Sequence, residues 1–427
     1  MHISRAGALV RTLNCFDIIT KTGSSPARAC PSLSLVHELS HGSIYKPHST
    51  RVQTFSTAVP RPLPPTLSSS LPLKKPESLR SPFKRNMSST KDVTHHSDIT
   101  KMKNEKDGSW KRKDSVFRSF IARGSKFEPE ADRYHLYVSY ACPWATRALI
   151  MRKLKGLEDF IPVTVVSPRM GSNGWPFFNA DAYPGADVDT LNHAEHVKDL
   201  YFKAQSDYDG KFTVPLLWDK KLNTIVNNES SELIRMFNSE FNHLLPKEKA
   251  SLDFYPEELR SRIDELNEWI YPNINTPAAW MIPATCMNLT PQFSSTDGVY
   301  RAGFAASQEA YEAAVTDVFN ALDKVEKLLE GKDYLVGDRL TEADIRLWVT
   351  IVRFDPVYVG HFKCNLRTIR DGYPAIELWL RKLYWNSDAF KSSTNFDHIK
   401  THYYWSHRMI NGHGVVPLGP IPNIRPL

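Results

Sequence analysis

Between Tyr134 and Val166 the chain reads as strand, helix, strand, and that order constrains the fold more than any other feature. Tyr134-His135-Leu136-Tyr137-Val138-Ser139-Tyr140 is rich in aromatic and β-branched residues, as strands are. Pro143 stands where a first helical residue belongs, since its missing N–H leaves nothing unsatisfied there. Ala145 to Leu154 supplies good helix formers, Gly156 is a stop signal, and Phe160 to Val166 is strand-like again. A β-α-β order brings its two strands together as a parallel pair. Cys142 lies at the first junction, on a helix N-terminus. Unpartnered N–H groups and the helix dipole both favour a thiolate over a thiol there, and a thiolate is a nucleophile at neutral pH. The plainer alternative is a small buried hydrophobe. No second cysteine lies two residues on, so Cys142 is not half of a Cys-x-x-Cys pair. Any disulfide it makes is with another molecule or a distant cysteine.

The 427 residues leave room for two domains and an appendage. The five cysteines, Cys15, Cys30, Cys142, Cys286 and Cys364, are too widely spaced for a disulfide framework, and no Cys/His spacing suggests a metal such as zinc. A reducing compartment fits best. No apolar stretch approaches bilayer-spanning length, so no membrane association is expected. The net charge of +7 is unevenly spread: up to Thr90 there are twelve Lys/Arg against three acidic residues, Asp17, Glu38 and Glu77. That stretch is also rich in Ser, Thr and Pro, cannot build a core, and is expected to be disordered. Met1 to Arg11 is Arg-bearing, acid-free and amphipathic, which suits a mitochondrial transit peptide, although a tail without an address reads the same way. Met87 could serve as an internal start and yield a cytoplasmic form. The expected location is therefore mitochondrial and/or cytoplasmic. Without the tail the charge is close to balanced, and nucleic acid is not an expected partner.

The composition becomes globular from about residue 107. After the β-α-β unit comes a Gly-rich polar loop containing Gly174-Trp175-Pro176, then a more helical stretch from Val197 to Ala204. Lys211 to Asp219 pairs with Thr224-Ile225-Val226 as a hairpin, and Asn227-Asn228-Glu229-Ser230 opens a helix over Ser231 to Asn238. Beyond about residue 250 the period is helical: Leu259 to Ile270, Gln308 to Glu330, a capping box at Thr341-Glu342-Ala343-Asp344, and Tyr373 to Tyr384. The division is a disordered basic tail (1–106), an α/β domain (107–245), an all-helical domain (246–410) and an irregular C-terminal tail (411–427).

Some residues suggest chemistry by their type and place. Val214-Pro215 is expected to be cis, exposing the Val214 backbone to an extended peptide edge; a strand-edge proline is the alternative. Glu229 and Ser230 begin a helix, where free N–H groups converge on carboxylates; plain N-capping is the alternative. Trp175 is a large aromatic with little local reason to stand in a polar loop, unless it packs onto the domain surface.

These motifs together resemble the cysteine-type glutathione transferases, which combine a thioredoxin-like α/β domain with an all-α domain. The likeness sharpens at Cys142-Pro143-Trp144-Ala145, Asn173-Gly174-Trp175-Pro176-Phe177, Thr213-Val214-Pro215, Asn228-Glu229-Ser230, Gly298-Val299-Tyr300-Arg301-Ala302-Gly303, Arg353-Phe354-Asp355-Pro356-Val357-Tyr358 and Asn395 to Tyr403. The resemblance there is to the glutathionyl-hydroquinone reductases, the Xi class, over roughly residues 107 to 420. It implies glutathione as co-substrate, with no bound cofactor, and a homodimer. It implies Cys142 as nucleophile, Tyr300 as proton donor and acceptor, and Tyr358 and Tyr403 as tyrosines that lower the thiol pKa and hold the substrate hydroxyl. Val214 would receive the cysteinyl unit of glutathione, Ser230 its γ-glutamyl carboxylate and Glu229 its ammonium, with Trp175 over the site and Lys211, Phe212 and Thr213 contributing. An Omega-like thioltransferase or dehydroascorbate reductase is the alternative; it would share the thiol and the glutathione residues without needing the three tyrosines. One region departs from the pattern: about twenty extra residues, around 276–296, precede the Gly-Val-Tyr motif. They read as a surface loop beside Tyr300 or as a translated intron.

Overall fold

A computed structural model describes residues 116–275 and 298–427. The basic tail, its transit-peptide motif, Met87 and the extra residues 276–296 lie outside the described residues, as do Cys15, Cys30 and Cys286. The first half is built on strand β1 (Tyr134–Val138), helix α1 (Pro143–Leu154), strand β2 (Val163–Val165), helix α2 (Val197–Ala204), strands β3 (Leu216–Asp219) and β4 (Thr224–Asn227), and helix α3 (Ser230–Ser239). The sheet order is β2-β1-β3-β4. β1 and β2 are parallel, with Leu136 opposite Val163, as a β-α-β unit requires. β3 and β4 form the antiparallel hairpin, with a register shift between Leu217 and Trp218. The chain before β1 covers the β4 edge, where Ser119 N–H donates to the Val226 carbonyl at 3.0 Å. That removes an unpaired edge.

The second half is helical: a short turn α4 (Lys247–Ala250), then α5 (Arg260–Ile270), α6 (Gly298–Phe304), α7 (Gln308–Leu329), α8 (Glu342–Arg353), α9 (Ile369–Gly372), α10 (Pro374–Asn386), α11 (Asp388–Lys391) and α12 (Phe396–Thr401). Three helix ends widen into π-helical turns, Tyr271–Asn275 after α5, Phe354–Tyr358 after α8 and His402–Ser406 after α12. None of these turns shows in the periodicity of the sequence. A π turn inserts a residue into the helical period and re-aims the side chains that follow.

Helix α1 joins the halves. It packs on α3 on one side and on α8 and α11 on the other, so nearly every residue from Pro143 to Arg152 is buried. Beside this contact, Arg235 of α3 pairs with Glu342 of α8 at 2.9 Å and with Asp264 of α5 at 2.7 Å. The C-terminal tail has no helix or strand, as expected, but it is pinned down. Lys400 donates to the Leu418 carbonyl at 2.7 Å, Trp385 to the Arg425 carbonyl at 2.8 Å, and Arg370 to the Asn423 carbonyl at 3.1 Å.

The expected capping box is present at the start of α8. The fully buried Asp344 carboxylate accepts from Thr341 N–H at 3.0 Å, Thr341 Oγ1 at 3.0 Å, Leu335 N–H at 2.9 Å and Trp379 Nε1 at 3.1 Å. Removing it strands four buried donors. Asp344→Ala is expected to lower unfolding free energy by about 2–4 kcal/mol, from lost capping and unsatisfied donors. Urea titration followed by circular dichroism checks this.

Candidate active site

Cys142 is the N-cap of α1, with extended backbone, and Pro143 follows as the first helical residue. Its N–H donates back to Ser139 O at 3.1 Å, and its carbonyl receives Thr146 N–H and Thr146 Oγ1, each at 3.0 Å. β1 ends at Val138, so Ser139 to Ala141 form the turn that carries the chain from β1 to the thiol at the start of α1. The side chain is 7% exposed, and the thiol donates to the Val214 carbonyl at 3.3 Å. The Val214–Pro215 peptide is cis, as expected. A carbonyl has two lone pairs, so Val214 can accept from the thiol and from a ligand N–H together.

The other sequence-derived residues lie on both halves. Thr213 is tied to α2: its N–H donates to Tyr201 Oη at 3.2 Å, and its carbonyl accepts from the same hydroxyl at 2.9 Å. Asn228 donates to Tyr201 Oη at 2.9 Å and to Thr213 Oγ1 at 3.2 Å, linking the strand lead-in to the start of α3. The Phe212 ring is core, against Tyr201, Phe202 and Tyr208, so only its backbone can face a ligand. The Lys211 carbonyl receives the Tyr208 hydroxyl at 2.9 Å. Glu229 caps α3, accepting from Ser231 N–H at 3.1 Å and Ser231 Oγ at 3.0 Å. Ser230 is buried at the first turn, with Arg147 Nη1 on its hydroxyl at 3.5 Å. Trp175 is buried and stacks on His402, with ring centroids 4.5 Å apart.

Tyr300, Tyr358 and Tyr403 meet although they are far apart in sequence. Tyr300 and Tyr403 share a hydroxyl–hydroxyl bond of 2.5 Å, and Tyr403 and Tyr358 one of 3.2 Å. Two of the three sit on π turns, Tyr358 after α8 and Tyr403 after α12. Tyr300 is 9% exposed; the other two are fully enclosed. Burial holds all three phenols well above the usual tyrosine range. The charge of the Cys142 sulfur adds to that rise at Tyr300, which puts phenol and thiol in one electrostatic neighbourhood.

Residues that the sequence reading gave no role complete the site. Trp144 lies 5.7 Å from the Tyr300 ring and donates to Tyr271 Oη at 3.2 Å. Phe362 lies 4.9 Å from Tyr300 and stacks on Tyr358 at 5.4 Å. Arg353, at the end of α8, is fully buried. It reaches across the domain boundary to the Ala141 carbonyl at 3.1 Å, the Tyr140 carbonyl at 3.0 Å and Thr146 Oγ1 at 2.9 Å. The signal for it was a cation closing an otherwise apolar run, Val349-Thr350-Ile351-Val352-Arg353. Burial also holds nearby His402 down to about 4 and His361 down to about 3, so these imidazoles are neutral at physiological pH. A cysteine at a helix N-terminus, next to a helix start suited to a carboxylate and a chain of phenols, is equipped for thiol chemistry with proton transfer.

Two family models match the chain: the N-terminal domain of glutathione S-transferase over residues 141–240 and the C-terminal domain over residues 308–382. Glutathione S-transferase omega-like 2 of Schizosaccharomyces pombe is 52% identical, the match covering 75% of this chain and 96% of that protein. Glutathionyl-hydroquinone reductase YqjG of Escherichia coli is 49% identical over 73% of this chain and 89% of its own. Its glutathione-bound structure superposes with a TM-score of 0.64, at 47% identity over 75% of this chain and 96% of that one. The crystal structure of glutathione S-transferase Xi from Phanerochaete chrysosporium is 65% identical, with a TM-score of 0.72 over 78% of this chain and 99% of that one.

Cys364 is fully enclosed and burial pushes its thiol up to about 12. Brief iodoacetamide treatment of the native protein at neutral pH is expected to mark the Cys142 peptide and leave Cys364 unmarked until the protein is denatured, as read by mass spectrometry. Gly303 faces the Phe362 ring so closely that a Cβ there would collide with it. Gly303→Ala is expected to cost about 1–3 kcal/mol by overpacking and to displace the ring that supports Tyr300 and Tyr358. Thermal unfolding, with near-ultraviolet circular dichroism for the aromatic cluster, measures both effects.

Proposed function

Because the chain belongs to the glutathione transferase family, in the Xi class that includes the glutathionyl-hydroquinone reductases, we propose that it reduces glutathionyl-hydroquinones to hydroquinones with glutathione as co-substrate. The observation that carries this reading is the hydroxyl chain Tyr300–Tyr403–Tyr358 beside Cys142. A thioltransferase needs the thiol and a glutathione cradle, and gives three linked, buried phenols no task. The Omega-like reading stays the alternative, favoured by the name of the fission-yeast relative.

The proposed chemistry has two halves. Cys142 thiolate attacks the sulfur of the bound conjugate. The carbon–sulfur bond breaks, its electron pair stays with the ring carbon, and Tyr300 delivers a proton to that carbon. Hydroquinone leaves, and Cys142 holds glutathione as a mixed disulfide. A second glutathione thiolate attacks the glutathione sulfur of that disulfide, oxidised glutathione departs, and the Cys142 thiolate returns. One covalent intermediate divides a hard step into two. Proton transfer from the incoming glutathione thiol to Tyr300, the most exposed of the three phenols, resets the phenol.

Glutathione binding is assigned on chemical grounds. Val214 would hold the cysteinyl backbone, and the first turn of α3 at Ser230 the γ-glutamyl carboxylate. Arg147, already on the Ser230 hydroxyl, adds positive charge to that corner. Glu229 would hold the ammonium while it caps α3. Trp175 would lie over the bound tripeptide from its stack on His402, with Lys211, Phe212 and Thr213 lending backbone. Tyr358 and Tyr403 would stabilise the thiolate and the substrate hydroxyl through the hydrogen-bond chain. A homodimer, and a mitochondrial or cytoplasmic location set by the N-terminal stretch, are part of the same proposal.

The test offers purified protein glutathionyl-menadiol and excess glutathione, and follows menadiol and oxidised glutathione by liquid chromatography. Cys142→Ser is expected to abolish turnover. Tyr300→Phe is expected to slow menadiol release by about 10²-fold, while exchange with a small glutathione mixed disulfide falls far less. No menadiol above background from the unaltered protein would refute the reading. Equal losses of both activities in Tyr300→Phe would favour the thioltransferase.

A further inference from the structure

A guanidinium with no carboxylate beside it is an unusual group to bury, and Arg353 is such a group. It is fully enclosed at the end of α8, and its hydrogen bonds go to oxygens that carry no charge: the carbonyls of Tyr140, Ala141 and Val349 and the hydroxyl of Thr146. Nearby acids on the same helix and turn are engaged elsewhere. Glu342 pairs with Arg235 and Arg346, Asp344 accepts from the Thr341, Leu335 and Trp379 donors, and Asp355 pairs with Arg370 at 3.0 Å. Among the described residues Arg353 has no ion-pair partner. A buried charge without a counter-charge is costly unless something else supplies one.

The groups that face it make clear what could. From the turn between β1 and α1 come Tyr140 and Ala141, the residue before Cys142, and from α1 comes Thr146, whose hydroxyl also bonds the Cys142 carbonyl. From α6 comes Tyr300, from the turn after α8 Tyr358, and from the turn after α12 His402 and Tyr403. The charge of Arg353 bears on all three phenols and on His402, pulling each phenol toward its ionised form. His402, held neutral by burial, adds no second positive charge. The site thus contains a fixed cation, a thiol proposed to ionise at rest, and phenols that become anions only during turnover.

We infer that Arg353 is a positioning residue for the proposed reaction: it clamps the turn that presents Cys142, and its charge offsets the negative charge that passes between the Cys142 sulfur and the Tyr300 oxygen. The inference rests on the proposed nucleophile and proton donor. In the resting enzyme the thiolate is the counter-charge. While Cys142 is tied up as a disulfide, the tyrosinate left by proton transfer takes over that part. The cation therefore stays compensated through the cycle without a permanent carboxylate, which would compete with both anions.

The test separates this from a failure of the proposed function, because it reads the thiol without any quinone. The rate of Cys142 carbamidomethylation by iodoacetamide is followed against pH by mass spectrometry of its peptide, in the unaltered protein and in Arg353→Met, Arg353→Gln and Arg353→Lys. Removing a cation disfavours the thiolate, so the midpoint is expected to rise by about one pH unit or more in the methionine and glutamine variants. Lysine keeps the charge and loses the forked clamp. Its midpoint is expected to stay near that of the unaltered protein, while kcat for glutathionyl-menadiol falls and KM for glutathione changes little. A folded neutral variant with an unshifted midpoint overturns the inference, as does a lysine variant shifted as far as methionine. If methionine and glutamine both unfold, the lysine variant decides: a midpoint shifted by about one pH unit or more overturns the inference, and an unshifted midpoint with lowered kcat supports it. If the alkylation result holds while no variant, nor the unaltered protein, turns over glutathionyl-menadiol, the inference stands and the substrate assignment fails.

Discussion

The structure depends on helix α1 being buried from both sides. A helix at a domain surface has one apolar stripe and one wet face. α1 has no wet face over most of its length, because α3 packs on it from one half and α8 and α11 from the other. Its polar side chains are then the means of docking in two directions. Thr146 bonds the Cys142 carbonyl and receives Arg353; Arg147 reaches Ser230 in one half and the Arg346 carbonyl in the other; Arg152 bonds the Ile161 carbonyl at 2.5 Å. The N-terminus of such a helix cannot be seated by either half alone. The thiol is correctly placed only when both are folded and joined.

This arrangement also explains the division of labour proposed for the site. Everything assigned to glutathione recognition belongs to the α/β half, where short local contacts set the positions of Thr213, Val214, Glu229 and Ser230. Everything assigned to proton transfer belongs to the helical half, on three separate helix ends. The two sets face each other across the α1–α8 contact. Inside that contact the surroundings are apolar and aromatic, so each charge acts at longer range than it would in water. One guanidinium can then bear on a thiol and three phenols together.

How far these features were legible in the sequence varies with their physical origin. The β-α-β unit, the hairpin and the capping box at Thr341 come from local periodicity and local hydrogen bonding, so they were readable residue by residue. Cys142 as an N-cap was readable for the same reason, from Pro143 and the helix formers after it. The meeting of Tyr300, Tyr358 and Tyr403 was not, because it depends on π turns that shift the period at the ends of α8 and α12; only family resemblance singled those tyrosines out. Arg353 was passed over because its partners in the other half are two main-chain carbonyls and one hydroxyl, which leave no mark on the sequence. Glu229 caps α3, the plainer of the two readings considered for it, and its meeting with a ligand ammonium belongs to the proposal. The C-terminal tail has no periodic pattern, and its attachment through single carbonyls to Arg370, Trp385 and Lys400 could not have been foreseen from composition.

One glycine carries a lesson about how the chain could change. Gly298 opens α6 with a left-handed backbone, and a Cβ on it would run into the Ile274 carbonyl and come within 3.1 Å of the Asn275 nitrogen. Asn275 and Gly298, the ends of the two described segments, therefore meet at a single doorway. Closing a loop costs little more as the loop grows, roughly 0.6 kcal/mol per doubling of its length. At such a doorway the fold is nearly indifferent to how much chain passes through. Residues can be gained, lost or rewritten there by ordinary genetic accident with scarcely any penalty in stability. Because the doorway opens two residues before Tyr300, changes that the fold ignores arise next to the residue on which the proposed chemistry turns, and the segment is a natural place for close relatives to diverge in substrate preference.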